Sequence, residues 1–299
     1  MRVIRAEQLM RSPGDGYGVF EVHCVHSSTF EVAGVTIELR TDIPEVARLH
    51  RLRYAQHAAA GPPDFRYYVA TMRGGYAFWC SHAPSWRWTR GALPPDAVAF
   101  LADAVILGAL VRYDAALCSV QAAAIEHEGV AAILAGPSAT GKSETLLACA
   151  RRGMRLYSDE RTLLRNSVVY PFLCRSSVRA AGARLMLADA GAPDRESLPA
   201  LPELSLRMFF GPEAIAAPRP LRALFLIAGA GSCAALELVD TAGVLPAIAR
   251  GFDSRGDMVD RVSRAISLLG NVRCYRLTLG EPDETSAAIA YALTRMGSE

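Results

Sequence analysis

VAAILAGPSATGKSETLLACARRGMRLYSDE, residues 130–160, is the stretch that sets the fold. Its first six residues, Val130–Ala135, form an unbroken apolar run after the tight turn Glu126–Gly129, the pattern of a strand covered on both faces. Gly136–Ser143 (GPSATGKS) then fits G-x-x-x-x-G-K-[ST], the phosphate-binding loop that closes a strand and opens a helix. The spacing predicts a helix from Lys142 to about Arg152, with Leu146, Leu147 and Ala150 on one face and Gly153 placed to end it. Met154–Ser158 reads as the next strand and delivers Asp159 and Glu160 at its carboxyl end.

Such a loop makes an anion cradle for stated reasons. Gly136 and Gly141 permit backbone angles and close approaches that a side chain would forbid. The amides of roughly Ala139–Ser143 can point at a β-phosphate, and the helix N-terminus adds partial positive charge. Ser138, Ala139 and Thr140 line the turn, Lys142 spans the β- and γ-phosphates, and the Ser143 hydroxyl is placed to hold Mg²⁺. Asp159 follows Lys142 by 17 residues, at a strand end that lies beside the phosphate site in this kind of fold. Its carboxylate can bind magnesium or take a proton from an acceptor hydroxyl. Glu160 is its neighbour, and two adjacent carboxylates need a metal or a shared proton to offset their repulsion. The bland alternative is a turn whose acids are simply solvated.

The basic residues sharpen the reading. Of the 32 lysines and arginines in this 299-residue chain, one is lysine, and it is Lys142. A bias towards arginine accounts for the other 31 but not for the place of the exception. A compact ammonium on a slim stem reaches between phosphates where a planar guanidinium fits poorly. Net charge is +2, so no global field draws in nucleic acid or an anionic membrane. The seven cysteines are scattered without a C-x-x-C pair, which points to a reducing cytoplasm. The longest apolar run, Ala97–Val111, is interrupted by Asp103 and is shorter than the roughly 20 residues a bilayer needs, so it reads as a buried helix.

Residues 1–92 differ in character from the remainder of the chain. They hold alternating segments such as Phe30–Leu39 and Tyr67–Met72 and all three tryptophans (Trp79, Trp86, Trp88), and they read as a β-rich or α+β accessory module. Acceptor recognition is the one role offered for it. The tryptophans serve either as core or as a peptide-binding surface, with core the more ordinary use. Residues 93–299 form the expected α/β domain, with Val120–Ile125, Ala223–Ala228 and Val272–Thr278 as further strands and Gly243–Gly251, Met258–Leu269 and Thr285–Met296 as helices.

The block around the loop resembles the catalytic core of bacterial HPr kinase/phosphorylase and its kinase-like relatives. Gly141–Thr145 (GKSET), the Arg152–Gly153 pair and the acids Asp159–Glu160 align with that family without a gap. The resemblance implies a P-loop kinase domain of the HPr kinase/PEP carboxykinase-like type, using ATP and Mg²⁺. It makes Asp159 the base for an attacking serine hydroxyl, assigns catalytic roles to Lys142 and Glu160, places Ser143 and Asp159 on the metal, and adds Glu144 to the nucleotide-binding residues. Gln121 stands where the family carries a histidine, and Glu160 where aspartate is usual. A counterpart of the dephosphorylation segment is missing, so the resemblance implies a kinase, nearer to enzymes that phosphorylate serine on ribosomal or lasso peptide precursors than to a phosphorylase.

No second lysine exists for guanine recognition of the N-K-x-D kind, and no H-R-D segment of the eukaryotic protein kinases is present. A further cation for the transferred phosphoryl group is sought among Arg155, Arg175, Arg179 and Arg184. The expected partner is a peptide or small protein bearing a serine. No nucleic acid and no membrane is expected, and homo-oligomerisation stays open. Two other functions also stay open, a kinase for a small hydroxylated metabolite and a nucleotide-dependent switch without transfer.

Overall fold

Alternation of apolar and polar residues from His26 onward builds a sheet ordered β1 (His26–Val32), β2 (Val35–Thr41), β3 (Phe65–Met72), β4 (Gly75–Cys80) and β5 (Trp86–Arg90). The structure is a computed structural model and describes residues 16–82, 86–172 and 211–298. The alternating segment Phe30–Leu39 is a hairpin, because Ala33 (φ 52°) and Gly34 (φ 77°) turn the chain between β1 and β2. β2 and β3 run parallel through helix α2 (Pro44–Arg53), and the remaining neighbours are antiparallel. Helix α1 (Gly16–His23) sets Phe20 against Tyr68, Met72 and Trp79, with the Phe20 and Trp79 rings stacked at 5.9 Å. Trp79 is therefore core; the side chains of Trp86 and Trp88 lie outside the described residues.

Helix α3 (Pro95–Tyr113) contains the apolar run Ala97–Val111 expected as a buried helix, and it belongs with the first sheet. Its buried Asp103 accepts a hydrogen bond from Tyr54 Oη at 3.0 Å, and Tyr113 Oη donates to Asp64 at 3.2 Å. The chain divides into compact units between Asp114 and Ala115, one helix later than the expected boundary at 92/93. An apolar helix can be buried by either neighbour, and here its polar groups find partners in the first unit.

The second unit is mixed α/β. Its strands are β6 (Leu117–Val120), β7 (Ala122–His127), β8 (Val130–Ala135), β9 (Arg155–Ser158), β10 (Thr162–Arg165), β11 (Val168–Tyr170), β12 (Arg219–Ala230), β13 (Ala235–Val239), β14 (Phe252–Ser254) and β15 (Arg273–Leu279). β8, β12 and β15 are parallel neighbours; β7 and β9 continue the sheet antiparallel on one side, and β13 closes the other. The start of the long β12 also pairs with β11, leading to β10, β6 and β14. Helices α4 (Lys142–Arg151) and α7 (Pro282–Gly297) bury one face of the sheet with Leu134, Phe225 and Leu277. Helices α5 (Thr241–Gly251) and α6 (Met258–Leu269) bury the other with Ile133, Leu224 and Cys274. Covered on both sides, β8 has no polar face to show, which is why its six residues are all apolar.

Val120–Ile125 is not the single strand expected from its apolar run but two, broken at Gln121. β6 pairs with β10 and β14, whereas β7 pairs with β8 and β9. At the break the Gln121 amide leaves both ladders and donates to the Gly251 carbonyl at 2.9 Å.

Candidate active site

The loop after β8 sits at the carboxyl edge of the three parallel strands, where open α/β sheets hold their ligands. Packing demands its two glycines. A Cβ at Gly136 would stand 3.0 Å from Thr140 Oγ1 and 3.3 Å from Ile227 Cβ. At Gly141 the backbone is left-handed (φ +93°), and a Cβ would meet Leu279 Cδ1 at 2.8 Å. Ala139 is also left-handed (φ 63°), a strain of about 1–2 kcal/mol for a residue with a Cβ. Thr140 Oγ1 steadies the turn by donating to the Pro137 carbonyl at 2.8 Å. Gly141 is the N-cap of α4 and has no side chain to cap it, so first-turn amides remain directed at whatever occupies the cradle. Ser138 and Glu144 are exposed, and Glu144 adds a favourable acid to the first helical turn.

Lys142 lies half-buried across its own loop. Its Nζ donates to the carbonyls of Gly136 at 2.8 Å and Pro137 at 2.6 Å. Burial lowers the ammonium's pKa from the ordinary lysine value, while Asp159 and Glu160 pull it back up. Lys142 therefore feels both members of the acidic pair.

Topology brings that pair to the loop. β7 is antiparallel to both β8 and β9, so the start of β7 and the ends of the other two share one edge, as the pairings Ala122–Ala135 and Ala124–Ser158 show. Asp159, 2% exposed, accepts a hydrogen bond from Ser143 Oγ at 3.0 Å. The turn from Asp159 to Arg161 is anchored from behind. Thr162 Oγ1 donates to the Ala122 carbonyl at 2.9 Å, which leaves Ser158 Oγ as the donor in its 2.8 Å contact with Thr162. Arg161 Nη1 reaches the Gly251 carbonyl at 3.4 Å, the same oxygen that receives the Gln121 amide. Glu160 is half-buried, and among the described residues no hydrogen bond or ion pair holds its carboxylate.

The loop, Lys142, Ser143 and the acid pair are thus drawn together, while other expected residues are not. Arg155 opens β9, at the end remote from Asp159, and is paired with Glu126 at 3.3 Å. Its candidacy as the extra cation fails for that reason. Arg175, Arg179 and Arg184 lie outside the described residues. Arg161 was missed by sequence reasoning, although its place directly after the acids was the available signal. Gly251 and Leu279 were missed too, since each meets the site only through the fold.

The donor set fits a magnesium ion. Ser143 Oγ and Asp159 Oδ2 are hard oxygens 3.0 Å apart, close to the spacing of about 3 Å between adjacent ligands of an octahedral ion at about 2.1 Å. Among the described residues no group of three or more His, Cys, Asp or Glu forms a metal cage. Magnesium commonly takes one or two protein ligands and completes its shell with phosphate and water.

No protein-family model matches the sequence, and no curated protein matches it. Among solved structures the chain is similar to the HPr(Ser) kinase/phosphatase from Coxiella burnetii at 13% identity and a TM-score of 0.36, over 60% of this chain and 90% of that one. A likeness this slight assigns neither activity nor substrate.

Proposed function

We propose that the second unit is a Mg²⁺- and ATP-dependent phosphotransferase that moves the γ-phosphoryl group to a serine hydroxyl of a peptide or small protein. One observation carries the reading: the Ser143 hydroxyl and the buried Asp159 carboxylate meet at 3.0 Å at the mouth of a glycine loop that also carries the chain's one lysine. Together these residues supply what the reaction needs. Loop amides and the α4 N-terminus take the phosphates, and Lys142 balances their charge. Ser143 and Asp159 would hold Mg²⁺, which when bound neutralises charge on the transferred group. The acid pair offers a carboxylate for the hydroxyl proton. Most of the rate then comes from positioning and electrostatics.

The serine acceptor, and a ribosomal or lasso precursor peptide as its bearer, rest on the GKSET and Asp159–Glu160 resemblance. A cytoplasmic setting is proposed on the seven scattered cysteines of the sequence, none of which forms a C-x-x-C pair. Among the described residues no helix is long and apolar enough to cross a membrane. The test is incubation with γ-labelled ATP, Mg²⁺ and serine-containing precursor peptides. A stable mass gain of one phosphate on peptide, lost in Lys142→Ala, supports the reading. Label on a small metabolite moves the acceptor class, and tight ATP binding with no transfer makes the protein a nucleotide switch.

A further inference from the structure

We propose that the acceptor hydroxyl is met by Glu160 and not, as expected from sequence, by Asp159, which keeps only its expected place beside Ser143 and the metal. This rests on the phosphotransferase reading and deepens it. Asp159 is 2% exposed and its Oδ2 is engaged by the Ser143 hydroxyl, so one of its oxygens is committed before any ligand arrives. A carboxylate that accepts from the loop serine turns that serine's lone pairs outward, towards a cation beside the phosphates. A buried, engaged group is poorly placed to receive a hydroxyl from outside or to release a proton to water.

Glu160 differs in each respect. It is half-buried, so solvent reaches it, and among the described residues no hydrogen bond or ion pair occupies it. Its backbone is nonetheless fixed. Asp159 before it is tied to Ser143, Arg161 after it to Gly251, and the strand beyond is pinned by Thr162 on Ala122. It stays close enough to the cradle for Lys142 to feel its charge. Glutamate carries its carboxylate one carbon further from this anchored backbone than aspartate would. In the transfer, the acceptor oxygen forms a bond to the γ-phosphorus as the β–γ bridging O–P bond breaks. The electron pair of that bond leaves with ADP, and the hydroxyl proton passes to Glu160 and on to water.

Near-isosteric variants of the full chain decide the matter through two readouts. The first is affinity for a fluorescent ATP analogue with and without Mg²⁺. The second is phosphate release from γ-labelled ATP, with water as the acceptor. Asp159→Asn should cut the gain in affinity that Mg²⁺ confers by about tenfold or more. Glu160→Gln should leave that gain within about twofold while slowing phosphate release by about 100-fold. Thermal melts in parallel establish that both variants are folded. Loss of the Mg²⁺ gain in Glu160→Gln, or unchanged release by it, overturns the division of labour. Failure of the unaltered protein to bind any Mg²⁺-nucleotide instead overturns the phosphotransferase reading, and this proposal with it.

Discussion

Ser143 Oγ donates to Asp159 Oδ2 at 3.0 Å across a sequence separation of 16 residues, joining the first turn of α4 to the end of β9. The strand pairing that puts Ala124 opposite Ser158 makes this contact a consequence of the fold rather than of a flexible side chain.

If that contact serves the metal, its two partners act as a unit. Ser143→Ala and Asp159→Asn are each expected to lower Mg²⁺-dependent nucleotide affinity about tenfold. The double variant should be scarcely worse than either single one, a coupling of about 1 kcal/mol. Nucleotide titrations over a Mg²⁺ series measure this directly, and full additivity would show the two side chains to be independent.

Lys142 gives a pH signature. Burial holds its pKa below the ordinary value of 10.5, so the ammonium loses its proton at lower pH than a free lysine does. Nucleotide affinity is therefore expected to be level near neutrality and to fall on the alkaline side before pH 10.5 is reached. Lys142→Arg should bind more weakly but lose the alkaline fall, because a guanidinium stays charged. The linkage to stability has a definite sign. With the folded value lowered, the unfolded chain binds more protons, so this residue's contribution improves as pH rises between the folded value and 10.5. Lys142→Met should remove that slope in pH-dependent denaturation.

The block from β8 to Glu160 was legible because its signals are local: an apolar run, two glycines at fixed spacing, a helical stripe and a terminating Gly153. Where the sequence misled, the information was not local. Nothing in the apolar run 120–125 announces that β6 and β7 belong to different ladders, since burial on both sides looks the same whoever the partner is. The boundary expected at 92/93 follows the change of character after the alternating, tryptophan-bearing segments, whereas the allegiance of α3 rests on Tyr54 and Asp64, each 49 residues from its partner on the helix. Arg161 could not be ranked among 31 arginines without seeing Gly251, 90 residues away, accept its hydrogen bond.

The first unit has its own test. Tyr54, His50 and Asp103 are all buried, with Tyr54 Oη 3.0 Å and His50 Nε2 3.5 Å from the same Asp103 oxygen. Tyr54→Phe removes a donor to a buried carboxylate at little cost in volume. It should destabilise this unit by about 1–3 kcal/mol, read as a lower urea midpoint with unchanged m-value. Nucleotide binding by the second unit should be unaffected, and a loss there would tie the two units together energetically.

Gly141 separates two causes of strain that usually act together. Gly141→Ala places a Cβ 2.8 Å from Leu279 Cδ1 and also asks an alanine to hold φ +93°. The contact can be relieved by truncating the partner, whereas the dihedral cannot. In a cycle with Leu279→Ala, the double variant should therefore be more stable than the sum of the single effects predicts, by about 1 kcal/mol or more. About 1–2 kcal/mol of backbone strain should persist. Nucleotide affinity should not recover with stability, because relaxing that strain moves the amides that cradle the phosphates. Full recovery of affinity in the double variant would mean that Leu279 alone, and not the left-handed turn, makes glycine necessary at 141.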